Sequence, residues 1–326
     1  MPPQYPAAHK IAEKIAAEIG CHPRQVLAAA ALLDEGATVP FIARYRKEIT
    51  GGLDDIQLRL LDERLAYLRE MEERRRVILA SIEDQGKLTP ELATAIHAAE
   101  TKQGLEDLYL PYKPKRRSKA QIAREAGLAP LAAALLADPM RSPAAEAAHY
   151  LNAEAGFADV RSVLDGARQI LMEQFSEDAG LLGELRSHLE AHGFVKSTVL
   201  TGKENEAAKF QDYFAYAEAI LAIPSHRALA LFRGRNEGML QLALVLDSEL
   251  DQSAPNACEE RIAQHFGIVD QGRPADPWLL ETVRWSWRIK VSLHLELELM
   301  NALRERAEAE AIRVFAANLH DLLLAA

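Results

Sequence analysis

Apolar residues return at three- and four-residue steps in segment after segment, the spacing that lays one hydrophobic stripe along a helix. The clearest case runs from Leu53 to Asp84, where Leu58, Leu61, Leu65, Leu68, Met71, Ile78 and Ile82 fall on a single face. Asp54 and Asp55 open that run, where a helix dipole favours negative charge, and Gly86 closes it. Two shorter helices are predicted over residues 7–19 and 23–35, with Pro23 standing where a helix can begin and Gly20 and Gly36 where each can stop. Another is predicted from Pro90 to about Thr101, followed by the segment LPYKPKRRS, whose two prolines exclude continued helix.

From Ser118 the stretch SKAQIAREAGLAPLAAALL reads as helix, turn at Gly127 and helix, the texture of a helix-turn-helix and equally of any short helical hairpin. Pro139 and Pro143 mark a connection, and helices are predicted at 144–155, 159–175, 178–192 and 204–221. Two stretches depart from this rhythm. Residues 194–200 and 239–246 are β-prone or alternating and are flanked by Gly193, Gly202 and Gly238, so they are read as a very small β element. Residues 278–325 contain neither Gly nor Pro; VSLHLELEL alternates like a strand, but the surrounding Glu, Arg and Ala favour one or two long helices. The reading is mainly α: a multi-helical scaffold with a helix-turn-helix-like unit. Its segments are 1–54, the long helix with the helix-turn-helix-like unit over 55–139, and a continuing scaffold over 140–326.

Composition adds three constraints. With 49% hydrophobic residues in 326, the chain can bury a core without metal or disulfides. Cys21 and Cys258 stand alone, in no ligand spacing, which suits a reducing cytoplasm. The first residues, MPPQYPAAHK, have no signal-peptide pattern, and no continuous apolar run is long enough to span a membrane. Net charge is −10, which opposes a polyanion partner, yet it is unevenly placed. Residues 1–140 hold 20 basic and 20 acidic side chains, so the second half carries the whole excess.

The segment Lys113-Pro114-Lys115-Arg116-Arg117-Ser118-Lys119 concentrates positive charge without an acid, and Tyr109 and Tyr112 precede it. Cations presented on a proline-held loop suit phosphate, and neighbouring aromatics suit unstacked bases; the alternative is a solvated loop with core tyrosines. Arg44, Arg46 and Lys47 form a second cluster before Gly51-Gly52, able to meet phosphate or to pair with Asp54, Asp55 and other carboxylates. Ser225-His226-Arg227, followed by Arg233-Gly234-Arg235, reads as a serine-capped helix start, not a catalytic pair, since no orienting carboxylate is indicated. His188 and His192 lie one helical turn apart without the H-E-x-x-H arrangement or a third ligand. Arg74, Arg75 and Arg76 are expected to pair with Glu70, Glu72 and Glu73 on a solvated face, and Trp278, Trp285 and Trp287 to anchor the terminal helix in the core. No P-loop, dinucleotide-binding or nucleophile-elbow motif occurs.

Four ordered blocks resemble the bacterial Tex family: TVPFIARYRKEITGGLDD (38–55), LEDLYLPYKPKRRSKAQIAREAGLAPLA (105–132), FQDYFAYAEAILAIPSHRALALFRGRNEG (210–238) and the terminal AEAEAIRVFAANLHDLLLAA. The resemblance implies a helical scaffold with an inset helix-turn-helix unit. It also implies a domain fragment that stops before RNase H-like, helix-hairpin-helix and OB-type RNA-binding domains. What it implies for function is a non-catalytic, cytoplasmic piece of a transcription accessory protein, akin to a eukaryotic elongation factor. Weak binding of RNA or DNA without strong sequence preference is expected through Lys113, Lys115, Arg116, Arg117, Lys119, Arg44, Arg46, Lys47 and Arg227. The alternative is a protein scaffold that docks the transcription machinery. No cofactor, metal, membrane or small-molecule substrate is expected.

Overall fold

The first helices form because local caps and a shared apolar stripe agree. In the computed structural model, which describes residues 5–246 and 256–324, the chain divides into two compact units, Met1–Lys113 and Pro114–Ala326. The first unit contains α1 (Tyr5–Ile19), α2 (Pro23–Asp34), α3 (Val39–Tyr45), α4 (Asp55–Asp84), α5 (Pro90–Ala98) and α6 (Lys102–Tyr109). Asp54 caps α4 by accepting from the Gln57 backbone N–H at 2.8 Å, and the Gln57 side chain returns a bond to the cap backbone. The predicted stripe is the spine of this unit. Its first half, through Leu68, packs with Ala12, Ile15, Val26 and Ile42, and its second half, from Met71, with Ile96, Leu105 and Tyr109. Burying each of these large side chains contributes about 2 kcal/mol before entropy is counted. Gly51 turns the chain from α3 toward α4 at φ +63°, and a Cβ there would lie 2.9 Å from the Gln25 amide nitrogen that holds the turn. That amide donates to the Thr50 and Gly51 carbonyls at 3.0 and 2.9 Å.

The second unit is built around α10 (Val160–Ser176), whose Val163, Ala167, Leu171, Met172 and Phe175 are buried. On α10 pack α7 (Lys119–Glu125), α8 (Ala129–Ala137), α9 (Pro143–Ala147) and α14 (Asp276–Ser286). The turn between α7 and α8 is made at Gly127, φ +81°. Helix α11 (Ala179–His192) leads straight into a three-stranded antiparallel sheet of order β2-β1-β3: β1 Gly193–Val199, β2 Ala215–Ala219, β3 Leu240–Leu246. Helix α12 (Ser225–Asn236) packs on α15 (Ser292–Leu324), while α13 (Ala257–His265) packs on α11 and α14. Between α14 and α15 the chain makes a π-helical turn, Trp287–Val291, which keeps both Trp287 and Val291 buried. Asp276, buried at the start of α14, accepts from the Gln271 and Arg273 backbone N–H groups and from the Arg273 guanidinium, which together hold its carboxyl down at about 2. No helix among the described residues is long and apolar enough to cross a membrane.

Several expectations are corrected by packing. The predicted helix 204–221 is instead a 3-10 stretch, Ala208–Tyr213, followed by strand β2, whose alanines pair with Phe194, Lys196 and Thr198 of β1. Here tertiary pairing overrides alanine's helix preference. The predicted helix 144–155 ends in a 3-10 turn at Tyr150. PFIARY forms the short helix α3, which the sequence reading left unassigned. The terminal helix holds through VSLHLELEL as expected and runs to Leu324; residue 325 of that expectation lies outside the described residues. Trp278 and Trp287 are core, but Trp285 is 39% exposed, its ring 4.9 Å from the Arg168 guanidinium.

The expected pairing holds for Arg75 with Glu72 and for Arg76 with Glu73, but Arg75 departs from the expected solvated face. It occupies the stripe position between Met71 and Ile78, is buried, and donates to the Ile96 and Ala99 carbonyls at 3.0 and 2.8 Å, closing the C-terminus of α5. Its neighbour Arg74 pairs with Glu106 on α6, not with the adjacent glutamates. Arg75→Ala is expected to destabilise the first unit by about 3 kcal/mol in urea unfolding, and Arg75→Lys by less, because an empty site and two carbonyls without donors remain. Hydrogen exchange should rise across residues 90–99; an unchanged midpoint would show the arginine to be dispensable.

Candidate nucleic-acid interface

The basic segment is fixed at its second end by the helix it introduces. Ser118 is the N-cap of α7, accepting from the Gln121 backbone N–H at 3.0 Å while its own hydroxyl donates to Glu173 of α10 at 3.0 Å. The other oxygen of Glu173 takes a hydrogen bond from Arg124 of α7. Just past the end of α10, Glu177 pairs with Lys115. Lys290 of the π turn faces the same two carboxylates. Burial alone would push Glu173 up, but the bonds from Arg124 and Ser118 outweigh it and leave the carboxyl below its ordinary value of 4.5. Burial prevails at Glu177, which is pushed above 4.5 despite Lys115, and at Lys290, which is pushed below its ordinary range.

This arrangement sorts the predicted cations. Lys115 is committed to Glu177, and Arg117 donates through Nε to Glu125 of α7 at 3.1 Å. Lys113, Arg116 and Lys119 are exposed and form no ion pair with any described residue. Tyr109 cannot serve as a stacking platform, because it is buried against α4 with its hydroxyl 2.9 Å from Ser81. Tyr112 is half-buried in the 3-10 turn Leu110–Tyr112.

The second predicted cluster lies at the C-terminal end of α3. Arg44 and Lys47 are exposed and unpaired among the described residues. Arg46 is half-buried, its guanidinium 5.3 Å from the Phe41 ring centroid and bonded to the Tyr45 carbonyl. The alternative pairing with Asp54 and Asp55 does not form: Asp54 is the α4 cap and Asp55 binds Arg59 at 2.8 Å. Phe41 and Tyr45 are themselves exposed, with ring centroids 5.4 Å apart, so this corner offers aromatic surface beside its cations, a feature the sequence reading did not use.

Arg227 stands apart from both clusters in the sequence and pairs with Glu218 of β2 at 3.4 Å. Ser225 does not cap α12; Pro224 occupies the cap position and no side-chain bond is made there. His188 and His192 lie with ring centroids 4.8 Å apart and planes tilted by 46°, and no third metal-ligating side chain joins them among the described residues. Burial and the nearby Arg261 keep His188 below its usual range.

Two substitutions separate the roles of the α10 carboxylates. Glu173→Ala is expected to cost about 2 kcal/mol at pH 7, since it strands Arg124 and Ser118. Because Glu173 is held below 4.5, its contribution is present at neutral pH and is lost as pH falls below 4.5. Glu177 has the opposite sign: being held above 4.5, its ionisation opposes folding as pH rises through that raised value. Stability of Glu177→Gln relative to the unmodified protein should therefore increase as pH rises from 4 to 7, read from urea midpoints. A flat difference would contradict the burial argument.

A family model described as Tex central region-like matches residues 138–315, and another described as Tex-like protein N-terminal domain matches residues 9–83. A protein named Protein YhgF from Escherichia coli is 60% identical over 313 residues, which cover 96% of this chain and 40% of that protein. Protein tex of Bordetella pertussis is 56% identical over 322 residues, covering 97% and 41%. Transcriptional accessory protein Tex of Neisseria gonorrhoeae is 56% identical over 305 residues, covering 93% and 39%. The chain thus spans about 40% of the length of these relatives. Similarity of this extent, running through both units and through the basic segment between the two matched regions, makes the chain a member of the Tex family.

Proposed function

We propose that this chain is the amino-terminal, non-catalytic portion of a transcription accessory protein, and that it contacts RNA or DNA through backbone phosphates without strong sequence preference. The observation that carries the reading is the division of labour in the basic segment. Lys115 and Arg117 are tied to Glu177 and Glu125, whereas Lys113, Arg116 and Lys119 are exposed and unpaired among the described residues. Anchored cations fix the loop and free ones remain for a polyanion. Arg44 and Lys47 extend the set of unpaired cations, and the α7–α8 hairpin adds surface next to Lys119. The relative from Neisseria gonorrhoeae, named a transcriptional accessory protein, supports the assignment of process. Such binding suits a cytoplasmic protein and needs no cofactor.

A second reading is favoured by α15. Ile312, Phe315, Leu319 and Leu322, at alternating steps of three and four, are each 46% exposed or more and form an apolar seam along the last turns. In that reading the piece is a protein scaffold for the transcription machinery or for further domains of a longer chain.

Titration of single-stranded RNA and duplex DNA at several salt concentrations distinguishes the two. Reversing Lys113, Arg116 and Lys119 to Glu should weaken binding and flatten the log-log salt slope by roughly 2 to 3, since each phosphate neutralised contributes about 0.7 to 0.9. Absent binding, or binding untouched by this reversal, would favour the scaffold.

A further inference from the structure

A cavity of about 400 Å³ in the second unit, away from the basic segment in sequence, is lined by Lys209, Phe210, Tyr213, His226, Leu229 and Arg233. One wall is the 3-10 stretch Ala208–Tyr213; the other is a single face of α12, since positions 226, 229 and 233 recur at helical steps. From the first of these to the last the groove follows α12 for about 10 Å at 1.5 Å per residue, room for one or two nucleotides.

Its chemistry is mixed. Phe210 is buried and forms the floor, with the Lys209 ammonium 5.1 Å from its ring centroid. Tyr213 is half-buried and held edge-on against Tyr216, ring centroids 5.4 Å apart at 76°. Tyr216 is in turn fixed by Glu218 and Arg227, and its hydroxyl is pushed up to about 12 by burial and by that carboxylate. Lys209 and Arg233 share one carboxylate, Glu237, at 2.5 and 2.8 Å, so the pair carries one positive charge in excess. Among the described residues no acidic side chain lines the cavity itself, and the exposed His226 side chain forms no hydrogen bond or ion pair with any of them. Both cations are more than half exposed, so each keeps a solvent-facing side not covered by Glu237.

We infer that this groove binds a nucleotide unit: a base against Tyr213 and its phosphate on the exposed side of Lys209 and Arg233, beside the Glu237 carboxylate that bridges them. An aromatic wall beside an unbalanced cation pair is the combination by which single strands are held irrespective of sequence. A purely apolar ligand would leave the excess charge unmatched, and a bare anion would leave the aromatic wall unused. The inference concerns residues distinct from the 113–119 segment and stands whether or not that segment binds.

The test is photocrosslinking of the 326-residue chain to a 4-thiouridine-labelled RNA octamer, with the site mapped by mass spectrometry. Crosslinks should fall within residues 207–236, decrease about tenfold in Tyr213→Ala and in Lys209→Glu with Arg233→Glu, and persist in Tyr213→Phe. They should also persist when Lys113, Arg116 and Lys119 are reversed, which separates this groove from the basic segment. Competition by free uridine monophosphate would identify a small nucleotide as sufficient, whereas competition only by oligonucleotides would identify a strand; either supports the inference. Circular dichroism melting checks that each variant is folded, and Tyr213→Phe serves as the conservative control. Crosslinks that map elsewhere, or that survive the charge reversal in a folded variant, would overturn it.

Discussion

Two carboxylates at the C-terminal end of α10 determine what the basic segment can do. Glu173 sits in the last turn of α10 and Glu177 just past its end, and together they receive Arg124, Ser118 and Lys115. Removing carboxylates from water is costly, and that cost is offset only where hydrogen bonds and cations replace the lost hydration. At Glu173 the replacement is complete enough to favour the ionised form, while at Glu177 it is not. Glu177, whose ionisation burial opposes, therefore holds the basic segment, and Glu173 fixes the start of α7. A segment that composition alone presents as a uniform knot of positive charge is thus partitioned into anchors and free cations.

That partition also reconciles basic clusters with an acidic chain. Many carboxylates of the second half are taken up by internal pairs, such as Glu298 with Arg186 and Glu281 with Arg168, which join segments more than a hundred residues apart. Net charge consequently says little about local potential. A polyanion approaching Lys113, Arg116 or Lys119 meets cations whose charge no described carboxylate has taken.

Helical periodicity was legible because it is a local property. Every stripe residue predicted for α4 is buried, and the small β element was visible in its alternation and flanking glycines. Strand β2 was not legible: AYAEA has the composition of a helix and becomes a strand only because β1 offers it a ladder. Arg75 was misread for a related reason, since charge type argues for solvent while its position in the stripe argues for the core, and only the free carbonyls of α5 decide between them. In the interface the cations themselves could be read from the sequence. Their partners could not, because Lys115 and Glu177 are separated by 62 residues.

The central claim, that the segment has anchored and free cations and that the free ones meet nucleic acid, is tested most directly by amine-reactivity footprinting of the lysines with and without single-stranded RNA. Lys115 should react slowly in both states, and Lys113 and Lys119 should react quickly alone and become protected by RNA. Equal reactivity of the three lysines, unchanged by RNA, would contradict the account.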